Sequence, residues 1–223
     1  MTQERTTAPA LAPALDRALA AGIVPVVVID GEADAERLGA ALVEGGLPVA
    51  EVTLRTPGAL AAIRRLAEEP ALSVGAGTVL DEAQYEAAVA AGATYVVSPG
   101  SSTAVLRAAE RTGVPLLPGA VTATEVIHAR DAGYRLLKFF PAEASGGAAA
   151  LGSFASPFSD VRFVPTGGVS PANVGDYLRL ANVPAVGGSW MVPPALLADP
   201  DGEPRLRALI RDAVATVQAV RQA

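Results

Sequence analysis

The 223-residue chain carries seventeen basic residues, and Lys138 is its single lysine. It interrupts the apolar run Leu136-Leu137-Lys138-Phe139-Phe140. An unpaired ammonium in such a setting is strongly disfavoured. Desolvation favours the neutral amine, which is the form that adds to a carbonyl to make an imine. Arginine serves as well as lysine on most surfaces and cannot form an imine at neutral pH. A chain that uses arginine everywhere else and keeps lysine here points to a required amine. A lysine that snorkels to the surface, or one that pairs with Glu51, is the alternative. Glu51 belongs to Glu51-Val52-Thr53-Leu54-Arg55, where a period of two puts Glu51, Thr53 and Arg55 on one face. A structural ion pair is the plain reading of that face, and proton transfer is the chemical one. Two glycine pairs, Thr166-Gly167-Gly168 and Gly187-Gly188-Ser189, offer backbone N–H groups to an anion or simply make tight turns.

The composition removes other chemistries. There is no cysteine, so no thiol nucleophile, disulfide or thiolate metal site is available. One histidine, His128, cannot build a multi-histidine metal site, and its helical context reads as a solvated or packed side chain. A net charge of −6 and an aromatic content of 4% argue against a broad nucleic-acid or anionic-membrane surface. No apolar run reaches membrane-spanning length, and the Thr/Ala/Pro-rich start lacks the pattern of a secretory signal. A cytoplasmic protein is expected, with residues 1–9 as a frayed tail. Asp30 and Glu143 are further carboxylates near strand ends, Asp30 without an assignable partner and Glu143 as a loop or cap residue.

Eight β-branched apolar runs alternate with helical segments. The predicted strands are Ile23–Ile29, Val49–Arg55, Ser73–Thr78, Thr94–Ser98, Val114–Pro118, Arg135–Phe140, Arg162–Thr166 and Ala185–Gly188. The predicted helices are Ala33–Glu44, Pro57–Glu68, Asp81–Ala90, Ser102–Arg111, Ala123–Ala132, Pro171–Leu180 and Pro204–Val220. The Gly-rich crossover from Ala144 to Ser156 is unassigned, and an extra helix, Ala10 to Ala20, precedes the first strand. Thr56-Pro57 and Ser170-Pro171 read as an N-cap followed by proline at the first helical position. This is the pattern of a single-domain (β/α)8 TIM barrel with an extra N-terminal helix. A doubly wound open sheet shares the alternation, but Gly75-Ala76-Gly77-Thr78 lacks the third glycine of a dinucleotide fingerprint. In a barrel all the candidate residues fall at the C-terminal ends of strands, where this fold places its sites.

Six stretches resemble, in order, the class I 2-keto-3-deoxy-6-phosphogluconate (KDPG) aldolases, also called 4-hydroxy-2-oxoglutarate aldolases. They are 51–56 (EVTLRT), 75–79 (GAGTV), 98–100 (SPG), 137–143 (LKFFPAE), 162–168 (RFVPTGG) and 187–190 (GGSW). The likeness runs from Ile23 to Pro194. It implies that Lys138 forms a Schiff base with the C2 ketone and that Glu51 is the general acid and base. Arg55 and Thr78 would hold the pyruvyl carboxylate, with Pro99 and Phe140 lining that pocket and Thr166 contacting the sugar chain. Gly167, Gly168, Gly187, Gly188 and Ser189 would take the 6-phosphate. The resemblance further implies a homotrimer and no metal or other cofactor. A sister branch acting on the galactonate epimer ends its first strand in arginine and has an aliphatic residue in place of Thr166. Here Thr166 is present and strand one ends in Asp30, where many relatives carry a basic or neutral residue.

Two other functions share these residues. A metal-free phosphosugar isomerase or epimerase would use Glu51 and the glycine loops without an imine. A non-catalytic phosphometabolite-binding protein would use Lys138 as a counter-ion. The first predicts activity insensitive to borohydride trapping; the second predicts ligand binding without turnover, largely preserved in Lys138→Arg.

Overall fold

The computed structural model describes residues 13–222. Helix α1 (Pro13–Ala21) leads into β1 (Ile23–Val27), α2 (Glu32–Glu44), β2 (Val49–Thr53), α3 (Ala59–Ala67) and β3 (Ser73–Gly77). Next come α4 (Glu82–Ala90), β4 (Tyr95–Val97), α5 (Thr103–Thr112), β5 (Leu116–Leu117), α6 (Ala123–Asp131) and β6 (Leu136–Phe139). A 3-10 turn, Glu143–Ser145, precedes α7 (Gly147–Phe154), β7 (Arg162–Pro165), α8 (Val174–Leu178), β8 (Val186–Gly188), α9 (Pro194–Leu197) and α10 (Glu203–Gln222). The tail expected at residues 1–9, and residues 10–12 of the expected first helix, lie outside the described residues.

The strands are short, parallel and buried on both faces, as a sheet sheathed by crossover helices requires. Six form one sheet in the order β5-β4-β3-β2-β1-β8, and β6 pairs with β7. The sheet curls far enough that side chains from β2 and β6, which are not neighbours, meet across its concave face. The ladder is not continuous through all eight strands. Single residue pairs, Gly119 with Lys138 and Thr166 with Gly187, bridge β5 to β6 and β7 to β8. Prolines explain the thin seams: Pro118 follows β5 and Pro165 ends β7, and neither can donate to a ladder.

Seven of the eight strands end one or two residues earlier than the sequence pattern suggests, because the chain turns outward into the rim loops, and β8 ends at Gly188 as expected. Two helix starts also differ. Thr56 does not cap α3. Its hydroxyl donates to the Ile29 carbonyl, and the helix begins two residues after Pro57, behind Gly58. Ser170-Pro171 likewise forms a turn: the Asn173 carboxamide oxygen accepts the Ser170 N–H, and α8 starts at Val174. The Gly-rich crossover folds as the 3-10 turn and α7, and α9 is an addition that no sequence pattern marked.

Leu15 and Leu19 of α1 close the floor of the curled sheet. With Val24, Leu136, Tyr95 and Glu51 they line an interior cavity of about 20 Å³. Tyr95 crosses β3 above Gly75, where a Cβ would stand 2.1 Å from its ring, and donates its hydroxyl to the Ala50 carbonyl at 2.7 Å. Burial, and then the charge of Glu51, holds that phenol well above its usual pKa. Tyr95→Phe leaves the buried Ala50 carbonyl without this donor and is expected to lower unfolding free energy by about 1–2 kcal/mol, read from urea unfolding. Among the described residues no helix is long and apolar enough to cross a membrane.

Candidate active site

Glu51 is the third residue of β2 and Lys138 the third of β6. Both point into the concave interior, where only 3% and 5% of their surfaces stay exposed. Lys138 Nζ donates to Glu51 Oε1 at 2.8 Å and lies 5.4 Å from the centre of the Phe140 ring. Neither ion could be held there alone at acceptable cost. The pair is therefore formed, as one of the sequence readings allowed, and its donor and acceptor stand at a distance that proton transfer requires.

The neighbouring strand, β3, makes room for it. Gly75 pairs in register with Glu51, and Gly77 with Thr53. A Cβ on Gly77 would stand 2.3 Å from Glu51 Oε1. In the sequence these glycines mark only an incomplete dinucleotide fingerprint. Their structural role is close approach to Glu51 and Tyr95, for which the sole cue was small residues in a strand beside a charged one.

Thr53 stays inside the sheet, its hydroxyl donating to the Val27 carbonyl at 2.9 Å. Arg55 does not remain on a strand: β2 ends at Thr53, and Arg55 projects from the rim with its side chain exposed. Its Nε donates to Thr78 Oγ1 at 3.3 Å, and among the described residues it forms no ion pair. Thr78 has φ +60°, a left-handed conformation unfavourable for a β-branched residue. That strain is confined to the rim beside Arg55. The guanidinium and the hydroxyl thus stand side by side at the rim, and Arg55 keeps N–H donors of the kind that pair with an anion. Pro99 and Phe140, both half-buried, stand at the ends of β4 and β6.

The two glycine pairs meet at the other side of the rim. The Thr166–Gly187 bridge sets them side by side, with Thr166 Oγ1 2.4 Å from where a Gly187 Cβ would stand. Gly167 and Gly168 have φ +97° and +84°, so the loop needs glycine at both positions. Gly188 is covered by the Trp190 ring, and Ser189 is exposed. Glu143 lies behind this loop: its backbone N–H donates to the Gly167 carbonyl at 3.1 Å, and its carboxylate accepts from the Tyr177 hydroxyl. Burial first, then that bond to Glu143, raises the Tyr177 pKa. His128 is exposed on α6, away from the strand ends. Among the described residues no group of three or more histidine or carboxylate side chains converges as metal ligands would.

Residues 16–206 match the aldolase family described as KDPG and KHG aldolase. The chain is 54% identical over 178 residues to a 2-dehydro-3-deoxy-phosphogluconate aldolase of Pseudomonas aeruginosa, spanning 79% of this chain and 81% of that one. Its fold superposes on the crystal structure of the KDPG aldolase of Zymomonas mobilis with 3-phosphoglycerate, with a TM-score of 0.86 at 43% identity, over 93% of this chain and 97% of that one. It also superposes, at TM-score 0.81 and 39% identity over 92% and 97% of the two chains, on a Legionella pneumophila KDPG aldolase with pyruvate captured as a covalent carbinolamine. With a lysine and a glutamate paired inside a curled parallel sheet, and with this match across most of its length, the chain belongs to the KDPG and KHG aldolase family.

Proposed function

We propose that this chain is a Schiff-base aldolase that cleaves 2-dehydro-3-deoxy-6-phosphogluconate to pyruvate and glyceraldehyde 3-phosphate. It would likewise cleave 4-hydroxy-2-oxoglutarate to pyruvate and glyoxylate. The single observation that carries the reading is the buried 2.8 Å contact between Lys138 Nζ and Glu51 Oε1. The Lys138 amine adds to the C2 ketone. Loss of water from the carbinolamine gives the iminium, with Glu51 supplying the proton that leaves with the hydroxyl. Glu51 then takes the proton of the C4 hydroxyl. The C3–C4 bond breaks, its electrons pass into the iminium to give an enamine, and the aldehyde departs. Glu51 returns the proton to C3, and water releases pyruvate and the free amine. One carboxylate serves each proton step, in keeping with a site whose rim has no histidine.

In this reading Arg55 and Thr78 hold the pyruvyl carboxylate against Pro99 and Phe140, and Thr166 contacts the sugar chain. The backbone of Gly167, Gly168, Gly187 and Gly188 takes the phosphate with Ser189. The two single-pair seams then close the eight strands as a (β/α)8 barrel, with α1 as its floor plug. A single domain, a homotrimer, a cytoplasmic location and the absence of a cofactor belong to the same reading and rest on the family resemblance. The test is incubation with pyruvate and borohydride followed by peptide mass spectrometry. A reduced pyruvyl adduct confined to Lys138 is expected. A protein that turns over substrate with no adduct would overturn the imine.

A further inference from the structure

Asp30 is the residue at the rim for which the reaction has no use. Its Oδ1 accepts the Gly58 backbone N–H at 2.7 Å. Gly58 is the residue before α3, has φ −84° and ψ −2°, and lacks any capping side chain of its own. It lies against Asp30 so closely that a Cβ would stand 2.5 Å from the Asp30 carbonyl oxygen and 2.9 Å from Oδ1. Asp30 thus does from the β1 loop what an N-cap does, placing an acceptor and a negative charge at the start of α3.

The turn it holds is the one that carries Arg55. On one side of Arg55, the Leu54 N–H donates to the Gly77 carbonyl at 2.8 Å. On the other, Thr56 is tied to the Ile29 carbonyl and Gly58 to Asp30. The Arg55 backbone N–H donates to the Thr53 carbonyl at 2.8 Å, while its exposed side chain has, among the described residues, just the 3.3 Å bond to Thr78. Its aim is therefore set by the backbone anchors on either side. We infer that Asp30 is a positioning residue for substrate binding: it fixes the turn 55–58 so that the Arg55 guanidinium meets the carboxylate of a 2-keto acid. This rests on the aldolase reading above.

The experiment is pyruvate-dependent borohydride trapping on Lys138, with the neutral amide pyruvamide as a carbonyl probe that lacks the carboxylate. Asp30→Ala is expected to raise the pyruvate concentration for half-maximal trapping about five-fold and to leave the pyruvamide value unchanged. Asp30→Asn keeps an acceptor for Gly58 and should restore most of the pyruvate affinity. Gly58→Ala suits the backbone angles and acts only by crowding Asp30, so it should reproduce Asp30→Ala. In an Arg55→Ala background, Asp30→Ala should add nothing. Equal loss with both probes, or a full effect without Arg55, would mean a general loosening of the site and overturn the inference. So would unchanged pyruvate dependence in both Asp30→Ala and Gly58→Ala when the parent protein traps normally. If the parent protein itself gives no adduct, the aldolase reading fails and this inference falls with it.

Discussion

Lys138→Arg is expected to abolish cleavage, by about 10⁴-fold or more, while the protein stays folded. Arginine keeps a positive charge beside Glu51, so the buried carboxylate retains a partner. The larger head group costs about 1–3 kcal/mol of overpacking, which thermal unfolding will register as a modest shift. The imine, by contrast, has no substitute: a guanidinium does not add to a ketone. Lys138→Met separates the two roles. It removes the amine and also strands the Glu51 carboxylate at 3% exposure, which is expected to cost about 3–5 kcal/mol. The two variants should thus be equally inactive in a pyruvate-release assay and unequally stable. If Lys138 served only as a counter-ion, Lys138→Arg would retain turnover within a hundred-fold of the parent, and that result would end the Schiff-base assignment.

The buried pair at the centre of the candidate site was legible in the sequence where a residue type contradicted its surroundings. Lys138 in an apolar run and Glu51 in an alternating strand had to be paired or used, and the structure brings them to 2.8 Å. Strand starts followed the apolar runs closely, with Ile23, Val49, Ser73 and Arg162 beginning strands as expected. Rim geometry was not legible, because it depends on contacts between loops distant in sequence. Thr56 carries every mark of an N-cap, yet the Ile29 carbonyl, left open as β1 turns out of the sheet, captures its hydroxyl. Asp30 looked partnerless because its partner is a backbone N–H 28 residues away. Gly75 and Gly77 looked like a failed nucleotide motif because nothing local says that Tyr95 and Glu51 need the space of a missing Cβ. The barrel pattern anticipated eight evenly joined strands. Prolines at the ends of β5 and β7 leave single-pair seams instead, a detail that only the register reveals.

Glu51→Gln tests whether the carboxylate moves protons or only balances charge. Glutamine has the same shape, and its Oε1 can still accept from Lys138, so the geometry of the pair survives. The proton chemistry does not, because an amide neither takes a proton from carbon nor returns one at neutral pH. The step that isolates this role is exchange of the pyruvate methyl protons in deuterated water, followed by NMR. Exchange requires iminium formation at Lys138 and then removal of a C3 proton to give the enamine. In Glu51→Gln it is expected to fall by about 10²–10⁴-fold. Borohydride trapping after long incubation should still place pyruvate on Lys138, since dehydration of the carbinolamine is slowed without the carboxylate but reaches the same iminium with water as the proton source. Glu51→Asp keeps the acid and retracts it by about one methylene, so it should exchange at an intermediate rate; a displacement of about 1 Å costs on the order of 10²-fold. Exchange in Glu51→Gln within ten-fold of the parent would move the proton work to another group, and the Lys138–Glu51 contact would then be an ion pair and nothing more.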